Sequence, residues 1–473
     1  MAKTGQSEPR QTDTTGWHPA RLIPTVGIRG QEEQERRATS SLLAVMRAVP
    51  EFGHALLKEL GAPKSQVIET YAEVRFKDAA GKTVIPDGAI VCRRGKKEWT
   101  CLVEVKTAGA PLRAEQVNSY LDVARDKGFD AVLTISNQIT PKASESPVDV
   151  DGRKLRRTAL WHFSWWRVLT EAIVQHRFRG VNDPDQAWIL GELIAYLDSE
   201  ASGAGGFDDM GDKWVTVRRA AHEGTLRAND PEARTVADRW QQFTQYLGLG
   251  LSQDLGRPVI APRPRGQSTA AQLEQSVKEL ADEGTLTTML RVPDAVGDIR
   301  IRADLRARRT LTSVSIDAPR EGRAKSRINW LVRQLTEAPG DLQIESIFPS
   351  ARQSTSERLE DVRENPERLL YPTDPKREPK TFTITLSRPM GQKRGKAEGS
   401  FVRETRAQTF DFYRDIVQQL KPWQARAPRL RDQADDVPEA PSAEPPGFVD
   451  SDVREPGDAA DPLAAPTDGD ARV

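Results

Sequence analysis

Two strand-like runs, Val84 to Cys92 and Trp99 to Lys106, flank the dipeptide Gly95-Lys96, and this arrangement constrains the chain more than any other feature. Glycine followed by a polar residue suits a two-residue type II′ hairpin turn, whose first position needs a positive φ. A hairpin centred there pairs Arg94 with Lys97 and, carried along the ladder, sets Asp87 opposite Glu104. Residues directly opposed in this way have Cβ atoms about 5 Å apart on one face. Side chains alternate along a strand, so Lys106 shares the face of Glu104, while Ile90, Cys92, Trp99, Cys101, Val103 and Val105 line the other. The expectation is a sheet with one core face and one face carrying two carboxylates and an amine.

Two like charges opposed across a hairpin repel, so a cation is expected between them. Mg²⁺ or Mn²⁺, which prefer oxygen ligands, satisfies both carboxylates. The Lys106 ammonium is then placed to orient a metal-bound water, and the metal to stabilise charge developing on a phosphodiester. A bare Glu-x-Lys is more often an exposed, salt-bridged strand. What sets this one apart is the aspartate on the neighbouring strand and the apolar residues of the opposite face.

At Pro86-Asp87 and Glu104-Val105-Lys106 the chain resembles the PD-(D/E)XK nuclease superfamily of restriction enzymes, recombination nucleases and phage-type exonucleases. The next predicted helix holds Gln116 and Tyr120, the Gln-x-x-x-Tyr spacing of the exonuclease branch, and i, i+4 residues share one helical face. The resemblance also implies a glutamate in the helix before the strands. Glu35 is the choice, since it leads into the stripe Ala38, Leu42 and Val45, with Glu32 and Glu33 as competitors. The catalytic set implied is therefore Asp87, Glu104, Lys106, Gln116, Tyr120 and Glu35, with Asp87 and Glu104 as metal ligands. Preference for DNA over RNA rests on the resemblance alone, which spans about Gly30 to His176 and leaves endo- versus exonuclease action open.

Periodicity organises the rest of the chain. Helices are predicted over Gln31 to Ala48, Glu51 to Leu60, Ala114 to Lys127 and Arg167 to His176. Strands are predicted over Tyr71 to Phe76, at the hairpin, and over Asp130 to Ser136 and Ala159 to Trp165. The fold class is α/β: a restriction-endonuclease-like mixed sheet flanked by helices, then a helical connector and a second α+β domain. Boundaries follow composition: an arm over 1–29, the nuclease-like domain over 30–180, the connector over 181–255, a Pro- and Arg-rich linker over 256–266, the second domain over 267–425, and a disordered acidic tail over 426–473. In the second domain, helices are expected over Thr269 to Asp282, Lys325 to Leu335 and Thr409 to Leu420.

The balance of 69 Lys plus Arg against 69 Asp plus Glu conceals an uneven distribution. Asp432 to Val473 holds 12 acidic and 2 basic residues, a net −10, so the remaining 67 basic and 57 acidic residues leave +10. That surplus lies in Arg257 to Arg431, with 33 basic and 23 acidic residues. Arg300, Arg302, Arg306, Arg308 and Arg309 form its densest cluster, a pattern suited to phosphate backbones. Its bland counterpart is a solvated Arg-rich surface. Two cysteines and five histidines argue against a disulfide scaffold or a multi-ligand zinc site. With no membrane-length apolar run and no secretory leader, the expected setting is cytoplasmic, without a membrane partner.

Other features read more simply. Cys92 and Cys101 are expected as small core residues. In His162-Phe-Ser-Trp-Trp166, neighbours on a strand point to opposite faces, which favours a buried strand end over a nucleophile and base. Asp208-Asp209 is read as a loop before a helix. The functional expectation is a metal-dependent deoxyribonuclease, with a defence, repair or stress role as a setting that no residue tests. The alternative is a catalytically silent nucleic-acid-binding or regulatory protein that uses the nuclease fold as scaffold. A protein partner or homo-oligomer is left open.

Overall fold

The computed structural model describes residues 23, 30–64, 67–78, 81–264 and 266–425. The expected acidic tail and all but Ile23 and Gly30 of the stretch before the first helix lie outside them. Helices α1 (Gln31–Ala48) and α2 (Pro50–Leu57) precede strands β1 (Ile68–Ala72), β2 (Phe76–Lys77), β3 (Thr83–Val84), β4 (Gly88–Arg94) and β5 (Lys97–Val105). Helix α3 (Ala114–Lys127), β6 (Ala131–Ser136), β7 (Ala159–Ser164), α4 (Trp165–Val174) and α5 (Pro184–Asp198) follow. β1, β4, β5, β6 and β7 form one sheet in that order, and β2 and β3 pair separately. β4 runs antiparallel to both β1 and β5, whereas β5, β6 and β7 are mutually parallel.

The hairpin has the expected register, with Gly88 opposite Val103 and Arg94 opposite Lys97. Gly95 takes φ +59° and Lys96 is not among the residues of positive φ, as a type II′ turn requires. Alternation sends Ile90, Cys92, Cys101, Val103, Val105, Leu133, Ile135 and Phe163 into a core covered by α1, α2, α4 and α5. Ala89, Leu102, Val132 and Leu160 pack on the other side against Val117, Tyr120, Leu121 and Ala124 of α3. Both faces of the central strands are thus apolar, and β6 is buried along its whole length. This differs from the expectation of a single core face: α3 follows β5 directly and crosses back over the sheet, covering the face that carries Glu104.

The predicted strand Tyr71 to Phe76 breaks in two. Glu73 adopts φ +51°, a left-handed conformation unfavourable for a side chain with Cβ, and ends β1 at Ala72. The α5 segment, expected in the connector, contributes Leu190, Leu193, Tyr196 and Leu197 to the first core.

The second core gathers around helices α6 (Trp214–Glu223), α7 (Pro231–Leu255) and α8 (Thr269–Glu283), with strands β8 (Thr285–Leu290), β9 (Ile299–Asp304) and β10 (Arg309–Asp317). Then come α9 (Ala324–Gln334), β11 (Gln343–Ile347), β12 (Thr355–Arg358), α10 (Leu359–Glu364), β13 (Thr381–Pro389) and α11 (Phe401–Asp415). The six strands form an antiparallel sheet in the order β12, β11, β13, β10, β9, β8. α11 starts eight residues before the predicted helix because its buried stripe includes Thr405, Gln408 and Thr409, which disguise the period. Gln408 satisfies its buried amide by donating to the carbonyls of Thr310 and Leu386.

Helices α4 and α7 join the two cores. The rings of Trp166 and Tyr246 pack at 4.8 Å, tilted by 36°, the indole N–H of Trp166 donates to the Tyr246 carbonyl at 3.2 Å, and Gln253 donates to the buried Thr170 hydroxyl at 2.9 Å.

Gly88 shows how tightly α1 approaches the sheet. A Cβ there would lie 2.5 Å from a Leu43 methyl and 3.0 Å from the Tyr71 carbonyl oxygen. We predict that Gly88→Ala lowers stability by about 1–3 kcal/mol through overpacking, measured by chemical denaturation. A wild-type midpoint in the variant would show that α1 does not depend on this close approach.

Candidate active site

Asp87, Glu104 and Lys106 meet at the carboxyl end of β5, which lies between antiparallel β4 on one side and parallel β6 on the other. Asp87, half-buried just before β4, accepts a hydrogen bond from the Val105 amide at 2.7 Å, while its own carbonyl accepts from the Glu73 amide at 2.9 Å. One carboxylate thereby closes the end of the ladder. Lys106 is fixed at both ends of its backbone, its N–H donating to Ile135 and its carbonyl accepting from the indole of Trp165.

The Lys106 ammonium lies 2.7 Å from Glu104 Oε1, 3.2 Å from Glu35 Oε2 and 3.1 Å from the Val105 carbonyl oxygen. Three oxygens thus surround one positive charge. Glu104 is fully buried. Its contact with Lys106 is a close ion pair without the alignment of a hydrogen bond, and neither of its oxygens has a hydrogen-bond partner. Burial and the neighbouring Asp87 charge push its carboxyl up to about 7, against the opposing pull of Lys106. For Lys106, burial disfavours the charge, but Glu104, Asp87 and Glu35 outweigh it and hold the ammonium above its ordinary range. A lysine in this state stays protonated and is a donor, not a base.

Glu35 reaches this cluster because α1 carries its polar first turns over the loop after Lys106. Gln31 donates to the Thr107 carbonyl at 3.1 Å, and Gln34 to the Ala201 carbonyl at 2.8 Å. Glu32 and Glu33 instead pair with Arg36 and Arg37 one turn along. Sequence reasoning passed over Gln31, Gln34 and Thr107. Their only signal is spacing, since residues 31, 34 and 35 continue the buried stripe of Ala38 and Leu42 toward the helix start.

Gln116 and Tyr120 lie on the face of α3 turned to the sheet. The Gln116 amide donates to the Tyr120 hydroxyl at 2.8 Å, and that hydroxyl donates to the Ile85 carbonyl at 3.3 Å. Tyr120 also lies close enough to Glu104 for burial and that carboxylate to raise its phenol above the ordinary value. The pair roofs the carboxylate and anchors the segment that presents Asp87.

Among the described residues, no three His, Cys, Asp or Glu side chains cluster closely enough to hold a metal ion by themselves. Mg²⁺ needs fewer protein ligands, often one or two carboxylates with several waters. Two observations fit such a cation: the unbonded buried oxygens of Glu104, and an ammonium that already occupies a pocket of oxygens.

The arginine cluster is more divided. Arg300 is exposed on β9, whereas Arg302 approaches Glu283 at 3.8 Å, Arg306 donates to the Asp282 carbonyl and Arg309 holds Ser387 through two hydrogen bonds. Arg308 is an exposed turn residue with φ +53°. These five residues do not join the Lys106 cluster.

His162 is a satisfied core residue, its ring nitrogens 2.9 Å from the Thr134 hydroxyl and the Gln138 carbonyl, and burial lowers its pKa to about 4. Cys92 and Cys101 are buried and unbridged. Asp208 and Asp209 pair with Lys396 and Arg394 of the second region. Among the described residues, no helix is long and apolar enough to cross a membrane. No family model, curated protein or solved structure matches this chain.

The raised Glu104 carboxyl sets a pH dependence of stability. The folded state holds this proton more tightly than the unfolded chain does, so its contribution is complete below the ordinary carboxylate range and is lost as pH rises through about 7. Without divalent metal, the stability of Glu104→Gln relative to the wild type is expected to rise by about 1–3 kcal/mol between pH 5 and pH 8.5. Parallel pH profiles for the two proteins would refute this.

Proposed function

We propose that this protein is a metal-dependent nuclease of the PD-(D/E)XK type, hydrolysing phosphodiester bonds in DNA. The observation that carries the reading is the convergence of Asp87, Glu104, Glu35 and Lys106 at the end of β5, where a buried carboxylate and a protonated amine share one pocket. The mixed five-stranded sheet, with α1 on one face and α3 on the other, supports a restriction-endonuclease-like core. Asp87 and Glu104 are the residues to hold Mg²⁺ or Mn²⁺. When bound, that ion supplies Lewis-acid stabilisation of phosphoryl charge.

The chain's own groups do the positioning. Lys106 donates to the attacking water or to a non-bridging phosphate oxygen, because its ammonium keeps its proton. Glu35 holds that ammonium from the far side and limits its rotation. Gln116 and Tyr120 keep bulk water off Glu104 and fix Ile85 next to Asp87. A second reading, a nucleic-acid-binding scaffold without chemistry, is favoured by the complete burial of Glu104, which leaves that carboxylate out of a substrate's direct reach.

One assay separates them. With Mg²⁺ or Mn²⁺, the wild type is expected to release acid-soluble nucleotides or nick circular DNA, and Lys106→Ala is expected to lose about 10²-fold or more of that rate, as when a group stabilising transition-state charge is removed. DNA retention by a wild type that cuts no substrate would favour the scaffold. Equal cutting by Lys106→Ala would overturn the assignment.

A further inference from the structure

The face of the first sheet that carries Asp87 and Glu104 is not fully roofed. Helix α3 covers Ala89, Leu102, Val132 and Leu160, and Val74, Phe76 and Val84 pack into the same cluster, while β1 is the edge strand and its last two residues are exposed. Register fixes what β1 offers there. Tyr71 pairs with Ala89, so its ring stands on the same face, and Asp87 is its diagonal neighbour, about 7–8 Å away by strand geometry. The ring is 49 % exposed, and Ile85, two residues before Asp87, is 40 % exposed. Two of the large exposed hydrophobic side chains of the described residues thus flank the accessible carboxylate of the site.

Tyr71 is held in place. Its hydroxyl donates to Glu69 at 2.8 Å, Glu69 pairs with Arg93, and Arg93 pairs with Glu98 at 2.7 Å, a chain of contacts running across β1, β4 and β5. An aromatic side chain with its hydroxyl tethered and about half of its surface exposed is a low-entropy platform. The left-handed turn at Glu73 then ends the strand directly after Ala72, and Tyr71 and Ala72 are both exposed.

Resting on the nuclease reading, we propose that Tyr71 stacks an unpaired base of the substrate beside the site formed by Asp87 and Lys106, so that the site takes single-stranded or frayed DNA in preference to an intact duplex. A flat π surface accepts any base, which gives affinity without sequence preference, and each stacked base contributes about 1–3 kcal/mol by alanine substitution. Bases within a duplex are already stacked on one another and do not present a free face to an edge-strand tyrosine.

The test is a cycle of binding measurements in the full-length Lys106→Ala protein, which separates binding from cleavage. Fluorescence anisotropy compares an oligothymidylate of about a dozen nucleotides with an abasic oligomer of equal length and charge. The expected result is tighter binding of the base-bearing strand by about tenfold, a ratio that collapses toward unity when Tyr71→Ala is added and persists with Tyr71→Trp. An undiminished ratio in the Tyr71→Ala background, equal affinity for the two oligomers, or no binding of either would overturn the proposal, the first two results assigning the exposed ring to some other contact. Failure of the nuclease reading appears separately, as absence of cutting by the wild type.

Discussion

The interaction on which the rest of the site depends is the contact between the Lys106 ammonium and the fully buried Glu104 carboxylate. A lone carboxylate in that position would be strongly disfavoured, and even with its partner it is protonated more readily than usual. The pair is therefore not a stabilising ornament. Removing one charge from a buried pair generally costs more than the pair contributes.

Several structural features trace back to holding this pair in place. β5 ends at Val105, and the next residue, Lys106, sets its amine beside Glu104. The Trp165 indole and the Ile135 carbonyl fix its backbone, and Asp87 secures the Val105 amide. α1 approaches closely enough over Gly88 to deliver Glu35, and α3 lays Tyr120 and Gln116 across the opening. Packing of α4 against α7, through Trp166 and Tyr246, couples this assembly to the second sheet.

Much of this was legible because a hairpin is a local device. A glycine at a two-residue turn fixed the register, and register alone set Asp87 beside the end of β5 and put Ile90, Cys92, Val103 and Val105 on one face. α1 and α3 were equally readable, since each has one apolar stripe at helical period and α3 ends at a left-handed Gly128. What escaped was decided by long-range packing. The break at Glu73 has no glycine to announce it, and the burial of both sheet faces depends on where α3 crosses. β12, with the sequence Thr-Ser-Glu-Arg, lacks any apolar alternation and owes its existence to pairing with β11. The roles of Gln31, Gln34 and Thr107 could not be read beyond helical spacing because they come from contacts between α1 and loops distant in sequence.

The central claim is that the Asp87 and Glu104 carboxylates, with Lys106 beside them, form a divalent-cation site. Electron paramagnetic resonance of Mn²⁺ titrated into the full-length protein near pH 8 tests it most directly, because the free ion's signal falls as it binds. The account predicts saturable binding that Mg²⁺ displaces and that is lost in both Asp87→Asn and Glu104→Gln. Binding that persists unchanged in those two variants, or no binding by the wild type, would contradict it.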